Sequence, residues 1–279
     1  MSSRMALTIG INQYQFFPQY ALRGCLNDTK SMSSTLKQYL GFKDSDITIL
    51  QDSDATKENI YKNIDSLIKK AQDGECDHIV IHLAAHGTQM PDVSGDETDD
   101  FKDEVFTTYN INTEGGDWSP STVIDDDNFG KKLSDIPEKC LCEVYLDTCH
   151  SGTGLRFFSL DEIPRYIPPP REINRELSNR SIENHGLTDT LKENGMPPNI
   201  VLMTGCQSNQ TSADARIEND YHGAFTWNLC NEIRKSNNNQ LSRYELMKNM
   251  KDAMKDKYAQ IPQLEGVSAT LDLPLGQLK

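Results

Sequence analysis

The chain has 279 residues, with 42 acidic against 28 basic side chains, a formal net charge of −14, and 36% hydrophobic residues. That length supports a large buried core, and an acidic chain without a basic stretch excludes nucleic acid as a primary partner. The N-terminal ten residues are too short and polar for a secretory signal and no apolar run reaches membrane-spanning length, so the chain is expected to be cytoplasmic and off the membrane.

Short apolar runs alternate with helical patterns. Residues 5–11 read as a first strand, and 29–40 as a helix with Asn27 or Asp28 near its cap. Residues 47–50 form a short strand. Asp54 is placed to cap a helix over 55–71, with Ile60, Ile64, Leu67 and Ile68 on one face. Strands follow at 79–84, 143–146 and 199–204, and helices at 225–234 and 241–258. The alternation predicts an α/β protein, a three-layer α/β/α sandwich on a mostly parallel central sheet. Two long polar stretches, 89–128 and 157–198, interrupt the rhythm and read as loops.

Two strands end in reactive side chains. The run Ile79-Val80-Ile81-His82-Leu83-Ala84-Ala85-His86-Gly87 ends in a histidine and a glycine. The run Val144-Tyr145-Leu146-Asp147-Thr148-Cys149 ends in a cysteine. Ligands of parallel sheets bind beyond the carboxyl ends of the strands. If these strands are neighbours, a thiol and an imidazole meet there, the geometry of a cysteine nucleophile with its base. His150 is a rival base, but adjacent residues on an extended segment face opposite sides. His78 and His82 lack this context and read as structural. The seven cysteines (25, 76, 140, 142, 149, 206 and 230) are odd in number and irregular in spacing, without a C-x-x-C pair. The six besides Cys149 are expected to pack as small buried hydrophobes in a reducing compartment.

These motifs, with Leu22-Arg23-Gly24-Cys25-Leu26-Asn27-Asp28, Gly95-Asp96-Glu97, Ile124-Asp125-Asp126, residues 205–213, Gly223-Ala224-Phe225-Thr226 and Gln260-Ile261-Pro262-Gln263-Leu264, resemble the metacaspase and prokaryotic caspase-like (orthocaspase) cysteine peptidases. The order of the motifs matches and covers nearly the whole chain. Cys149 and His86 lie 63 residues apart, somewhat more than the roughly fifty of true caspases. The resemblance implies one caspase-like domain over 1–279: a large-subunit-like region at 1–155, a linker at 156–198 and a small-subunit-like region at 199–279.

It also implies a Cys149/His86 dyad forming a thioester, with the N–H groups of Gly87 and Cys149 as oxyanion donors. The pocket for the residue before the scissile bond falls to Asp28 and Asp147, with Cys25 and Ala84. Two carboxylates there select arginine, then lysine. A pocket serine of the family is Ala84 here, which leaves one hydrogen bond fewer. For Asp28 alone, a helix N-cap is the competing role. Arg156, Arg165, Arg171, Arg175 and Arg180 lie in the linker, expected to be exposed, and are candidate self-cleavage sites of a zymogen; the alternative is that they solvate a loop.

No cofactor is required by this chemistry. Calcium is a further option, through acids matching Asp103, Asp125 and Asp126, although another family aspartate is replaced by Arg156. Expected partners are protein or peptide substrates with a basic residue before the cut, and a separate activator protein; the chain is expected to be a monomer. The competing functions are an inactive caspase-like binding module and an acidic metal-buffering protein.

Overall fold

The computed structural model describes residues 3–91, 102–149, 162–170, 187, 191, 196–207, 210–236 and 239–279. In chain order the main elements are β1 (Arg4–Gly10), α1 (Cys25–Tyr39), β2 (Ile47–Gln51), α2 (Lys57–Gln72), β3 (His78–Ala84), β4 (Gly87–Pro91), β5 (Lys102–Thr107), β6 (Thr113–Glu114), β7 (Asp117–Trp118), β8 (Val123–Asp125), α3 (Asp126–Ser134) and β9 (Leu141–Asp147). There follow β10 (Glu162–Pro164), β11 (Ile200–Thr204), β12 (Ala213–Ile217), β13 (Asp220–Gly223), α4 (Ala224–Lys235), α5 (Arg243–Met254), β14 (Gln263–Glu265) and α6 (Ser268–Leu271).

The central sheet has six strands in the order β14-β11-β9-β3-β1-β2. All neighbours run parallel except β14, which is antiparallel to β11. The inner strands are apolar on both faces, as burial on both sides demands, and their side chains alternate between two cores. Leu7, Ile9, Ile79, Ile81, Leu83, Val144, Leu146 and Leu202 pack against Ile60, Ile64 and Leu67 of α2 and Phe129 and Leu133 of α3. Ala6, Val80, Tyr145, Val201 and Met203 face Met32 and Leu36 of α1, Phe225 and Leu229 of α4, and Leu246 and Met250 of α5. This is the expected three-layer sandwich. Among the described residues no helix is long and apolar enough to cross a membrane.

Several local expectations are corrected. Helix α1 starts at Cys25, so Asp28 lies inside its first turn and neither it nor Asn27 is the cap. The cap comes from distant side chains: Asp214 accepts from the N–H groups of Arg23 and Gly24 at 2.8 and 3.0 Å, and Asn12 accepts from Cys25 N–H at 2.9 Å. Helix α2 is capped by Thr56, not Asp54; the Thr56 hydroxyl accepts from Asn59 N–H. The stretch 89–128 is no plain loop, since β4, β5 and β8 pair into a second sheet. The β12–β13 hairpin is a further addition.

One buried ion network ties the sheet to the C-terminal segment. Glu143 of β9 accepts from Arg243 at 2.8 Å, from His78 Nε2 at 2.9 Å and from Gly276 N–H at 3.0 Å. Burial alone would raise the Glu143 carboxyl, but Arg243 and His78 outweigh it and hold it down at about 2. Removing one partner of such a buried pair strands the other charge. Arg243→Met is therefore expected to cost about 3–5 kcal/mol in urea unfolding, and the added change Glu143→Gln to recover about half of that or more; a double variant no more stable than the single one contradicts this assignment.

Candidate active site

The parallel register places the site. Ala84, the last residue of β3, pairs with Asp147, the last residue of β9. His86 and Cys149 each follow two residues later, so both chains deliver them to the same carboxyl edge of the sheet.

The His86 ring is buried. Its Nε2 lies 2.8 Å from the Tyr20 carbonyl oxygen, which can only accept, so Nε2 carries the proton and Nδ1 the lone pair. That Nδ1 has no hydrogen-bond partner among the described residues. The backbone of His86 is fixed as well: its N–H donates to Tyr14 Oη at 3.0 Å, and its carbonyl accepts from Thr107 Oγ1 at 2.7 Å. Burial lowers the imidazole to about 4, against a smaller opposing effect of the Tyr20 contact. Cys149 is also fully buried, and desolvation pushes its thiol up. Its sulfur accepts from Ser212 N–H and lies 3.9 Å from the sulfur of Cys206. The resting pair is thus a neutral thiol and a neutral imidazole. Cys206 departs from the expected buried packing: it alone among the seven free cysteines is partly exposed.

The dominant feature is Arg165. It lies in the stretch expected to be exposed, yet its side chain is completely buried. Its Nη2 lies 2.6 Å from Asp28 Oδ2 and 3.0 Å from Asp214 Oδ1; its Nη1 lies 3.2 Å from Asp147 Oδ2 and donates to the Asp147 carbonyl at 3.1 Å. Each acid is held by a different element. Asp147 accepts from Ser212 Oγ at 2.6 Å and, at the N-terminus of α4, from Thr226 N–H at 2.9 Å and its hydroxyl at 2.8 Å. Asp28 accepts from Gly223 N–H at 3.0 Å; burial raises its carboxyl, and Arg165 opposes this. Gly223 permits the close packing, because a Cβ there would lie 2.1 Å from Asp147 Oδ2 and 2.5 Å from Arg165 Nη1.

The backbone around Arg165 is extended. Strand β10 pairs antiparallel with β12, with Ile163 opposite Asp214, and Arg165 N–H donates to the Ser212 carbonyl at 3.0 Å. The Arg165 carbonyl accepts from Gly87 N–H at 3.0 Å, and Ile167 N–H donates to the Gly87 carbonyl at 3.0 Å. The segment is laid between β12 and Gly87 by main-chain hydrogen bonds, in the manner of an added strand.

The structure thus brings Asp28, Asp147 and the Gly87 N–H together on one residue. Cys25 and Ala84 form an apolar wall with Leu22, against which Ile163 packs. Asp214 was not singled out from the sequence, although it directly follows the motif at 205–213, a usable signal. Arg156, Arg171, Arg175, Arg180, His150 and residues 95–97 lie outside the described residues, as does the Asp103 side chain. Asp125 Oδ1 accepts from Asn128 N–H at 2.8 Å as the cap of α3, and Asp126 follows as its first residue. No group of three or more His, Cys, Asp or Glu fit to hold a metal occurs among the described residues. His78 and His82 are structural: His78 joins Glu143, and His82 Nε2 lies 3.1 Å from Thr226 Oγ1.

The family model described as caspase domain matches residues 3–274. Metacaspase-1 of Meyerozyma guilliermondii is 28% identical over 94% of the chain and 68% of its own length. The chain spans 64% to 72% of the length of three such curated metacaspases. A Geobacter sulfurreducens protein of known crystal structure superposes with a TM-score of 0.67 at 23% identity, covering 99% of both chains. Caspase-1 of Spodoptera frugiperda superposes with a TM-score of 0.58 at 14% identity, over 98% of this chain and 88% of its own. At these identities the two structures speak for the fold.

Both His82 and His86 are held at about 4 by burial, well below an unfolded value near 6.5. As the pH falls below about 6.5, the unfolded chain binds protons that the folded chain refuses until about 4, so stability is lost across that window. The expected loss is on the order of 3 kcal/mol per histidine; Asp28, raised by burial, works in the opposite sense at the acid end. Urea unfolding at a series of pH values checks this: His82→Gln should flatten about half of the slope, and a wild-type chain equally stable at both ends of the window contradicts it.

Proposed function

The chain belongs to the caspase-domain family of cysteine-type endopeptidases, and from that premise we propose that it cleaves after arginine and is a zymogen with its own Arg165–Tyr166 bond laid in the site. The observation that carries this is the buried Arg165 guanidinium between Asp28, Asp147 and Asp214, with its carbonyl oxygen on Gly87 N–H.

The chemistry then runs through named atoms. Cys149 turns from Ser212 towards His86, and its thiol proton passes to Nδ1. The thiolate attacks the carbonyl carbon of the arginine. Negative charge develops on the oxygen at Gly87 N–H, with the N–H of Cys149 as the second donor that family resemblance supplies. Collapse breaks the C–N bond, and His86 returns the proton to the leaving amine. Water, deprotonated by His86, then attacks the thioester and releases an arginine carboxylate and the free thiol.

The pocket explains the choice of residue. A guanidinium presents a planar fork that reaches several carboxylates at once, whereas an ammonium is a single point charge. An aspartate there would meet three buried like charges. Arginine reporters are therefore expected to be cut at least about tenfold faster than lysine ones, with aspartate reporters uncut. Asp214→Asn should lower kcat/KM on the arginine reporter about 30- to 100-fold, as expected for a lost charge-assisted hydrogen bond. A preference for aspartate overturns the pocket assignment.

Self-processing has its own test. Wild type should yield a fragment beginning at Tyr166, and Cys149→Ala should stay whole. Arg165→Ala should lack that cut and, with water admitted to the pocket in place of the guanidinium, hydrolyse the arginine reporter without a lag. Fragments that persist in Cys149→Ala contradict self-processing while leaving the pocket assignment open to the reporter assay.

A further inference from the structure

Cys206 has no part in the chemistry above, yet its position is specific. It lies two residues beyond β11, as Cys149 lies two beyond β9, and these strands are parallel neighbours with Thr204 opposite Leu146. The ladder continues one step past the pair, because Gly205 N–H donates to the Leu146 carbonyl at 2.8 Å. The two chains therefore leave the sheet side by side, with Cys206 level with Thr148 and one residue short of Cys149. The Cys206 sulfur lies 3.7 Å from the Thr148 carbonyl oxygen, 3.5 Å from that of Gln210, and 3.9 Å from the Cys149 sulfur. The Cys149 sulfur also accepts from the Ser212 N–H. The remaining cysteines (25, 76, 140, 142 and 230) are buried, so Cys206 is the thiol that a small oxidant in water meets.

We propose that Cys206 and Cys149 form a reversible disulfide on exposure to a hydroperoxide, which takes the nucleophile out of action and shields it from further oxidation. An S–S bond is about 2 Å long, so the sulfurs must approach by about 2 Å, within reach of side-chain rotation at two chain segments beyond the sheet edge. The Cys206 thiolate attacks the peroxide O–O bond; sulfur is oxidised to sulfenic acid and an alcohol or water leaves. The Cys149 sulfur then attacks that sulfur, the S–S bond forms, and the sulfenic oxygen leaves as water with the thiol proton. In sum, two thiols and one hydroperoxide give one disulfide, one alcohol (or water, for hydrogen peroxide) and one water. A thiol reductant reverses it, whereas a lone Cys149 would advance to the irreversible sulfinic acid. The silencing of activity rests on the cysteine-peptidase reading; the bond itself does not.

The full chain treated with a small excess of hydrogen peroxide, then alkylated and mapped without reduction, tests the proposal. The expected product is a Cys149–Cys206 cross-linked peptide and a chain lighter by two hydrogens. In Cys149→Ser, a cyclic 1,3-diketone should trap Cys206 as the sulfenic acid. Hydrolysis of an arginine reporter should fall about tenfold or more and return with dithiothreitol; in Cys206→Ser and Cys206→Ala the loss, relative to each variant's untreated rate, should persist. Sulfinic Cys149 beside a free Cys206, or a cross-link between other cysteines such as Cys76 and Cys140, overturns it. Because the map reads the bond directly, a chain that hydrolyses no reporter still decides this question, and failure of the peptidase reading is told apart from failure of the switch.

Discussion

One buried cation organises the working end of this molecule. A guanidinium without solvent contact is tolerable only where opposite charge and hydrogen-bond acceptors surround it. Arg165 finds them in three carboxylates from three separate parts of the chain: Asp28 on α1, Asp147 at the end of β9, and Asp214 on β12. The same three acids need the cation, since alone they would crowd like charge in a dry space. Helix α1, the sheet edge, the hairpin and the segment at 162–167 are thereby fixed relative to one another. Each acid is also held by donors of the fold, namely Gly223 N–H for Asp28, Ser212 and Thr226 for Asp147, and Arg23 and Gly24 N–H for Asp214.

The sheet register does the rest. Because β3 and β9 end at the same level, His86 and Cys149, two residues beyond each strand, come to one edge without a dedicated loop. The register of β9 with β11 brings Cys206 to that edge in the same way. Both relations follow from parallel pairing of apolar strands, which is the feature most readily read from sequence.

This explains what was legible. The central strands announce themselves by apolar runs, and the two reactive ends by the polar residues that stop those runs. The family motifs then point to Asp28 and Asp147. What escaped depends on partners far away in the chain. The start of α1 could not be placed by a local capping residue, because its cap, Asp214, is about 190 residues distant. Arg165, set between Pro164 and the run Pro168-Pro169-Pro170, reads as loop; only its three remote acids make burial favourable. The strands of the small sheet and of the hairpin are short, and their pairing is decided by neighbours more than by intrinsic preference.

Asp214 has one more consequence. Its carboxylate both faces Arg165 and accepts from the backbone at the start of α1, so the contact with the guanidinium and the integrity of α1 are written in the same atoms. Asp147 is likewise bound to the start of α4. Replacing these carboxylates with cations would invert the charge of the pocket, and each replacement would first loosen a helix of the scaffold. The charge of this pocket is thus tied to the architecture: it can be inverted only by rebuilding the helix ends that the acids complete.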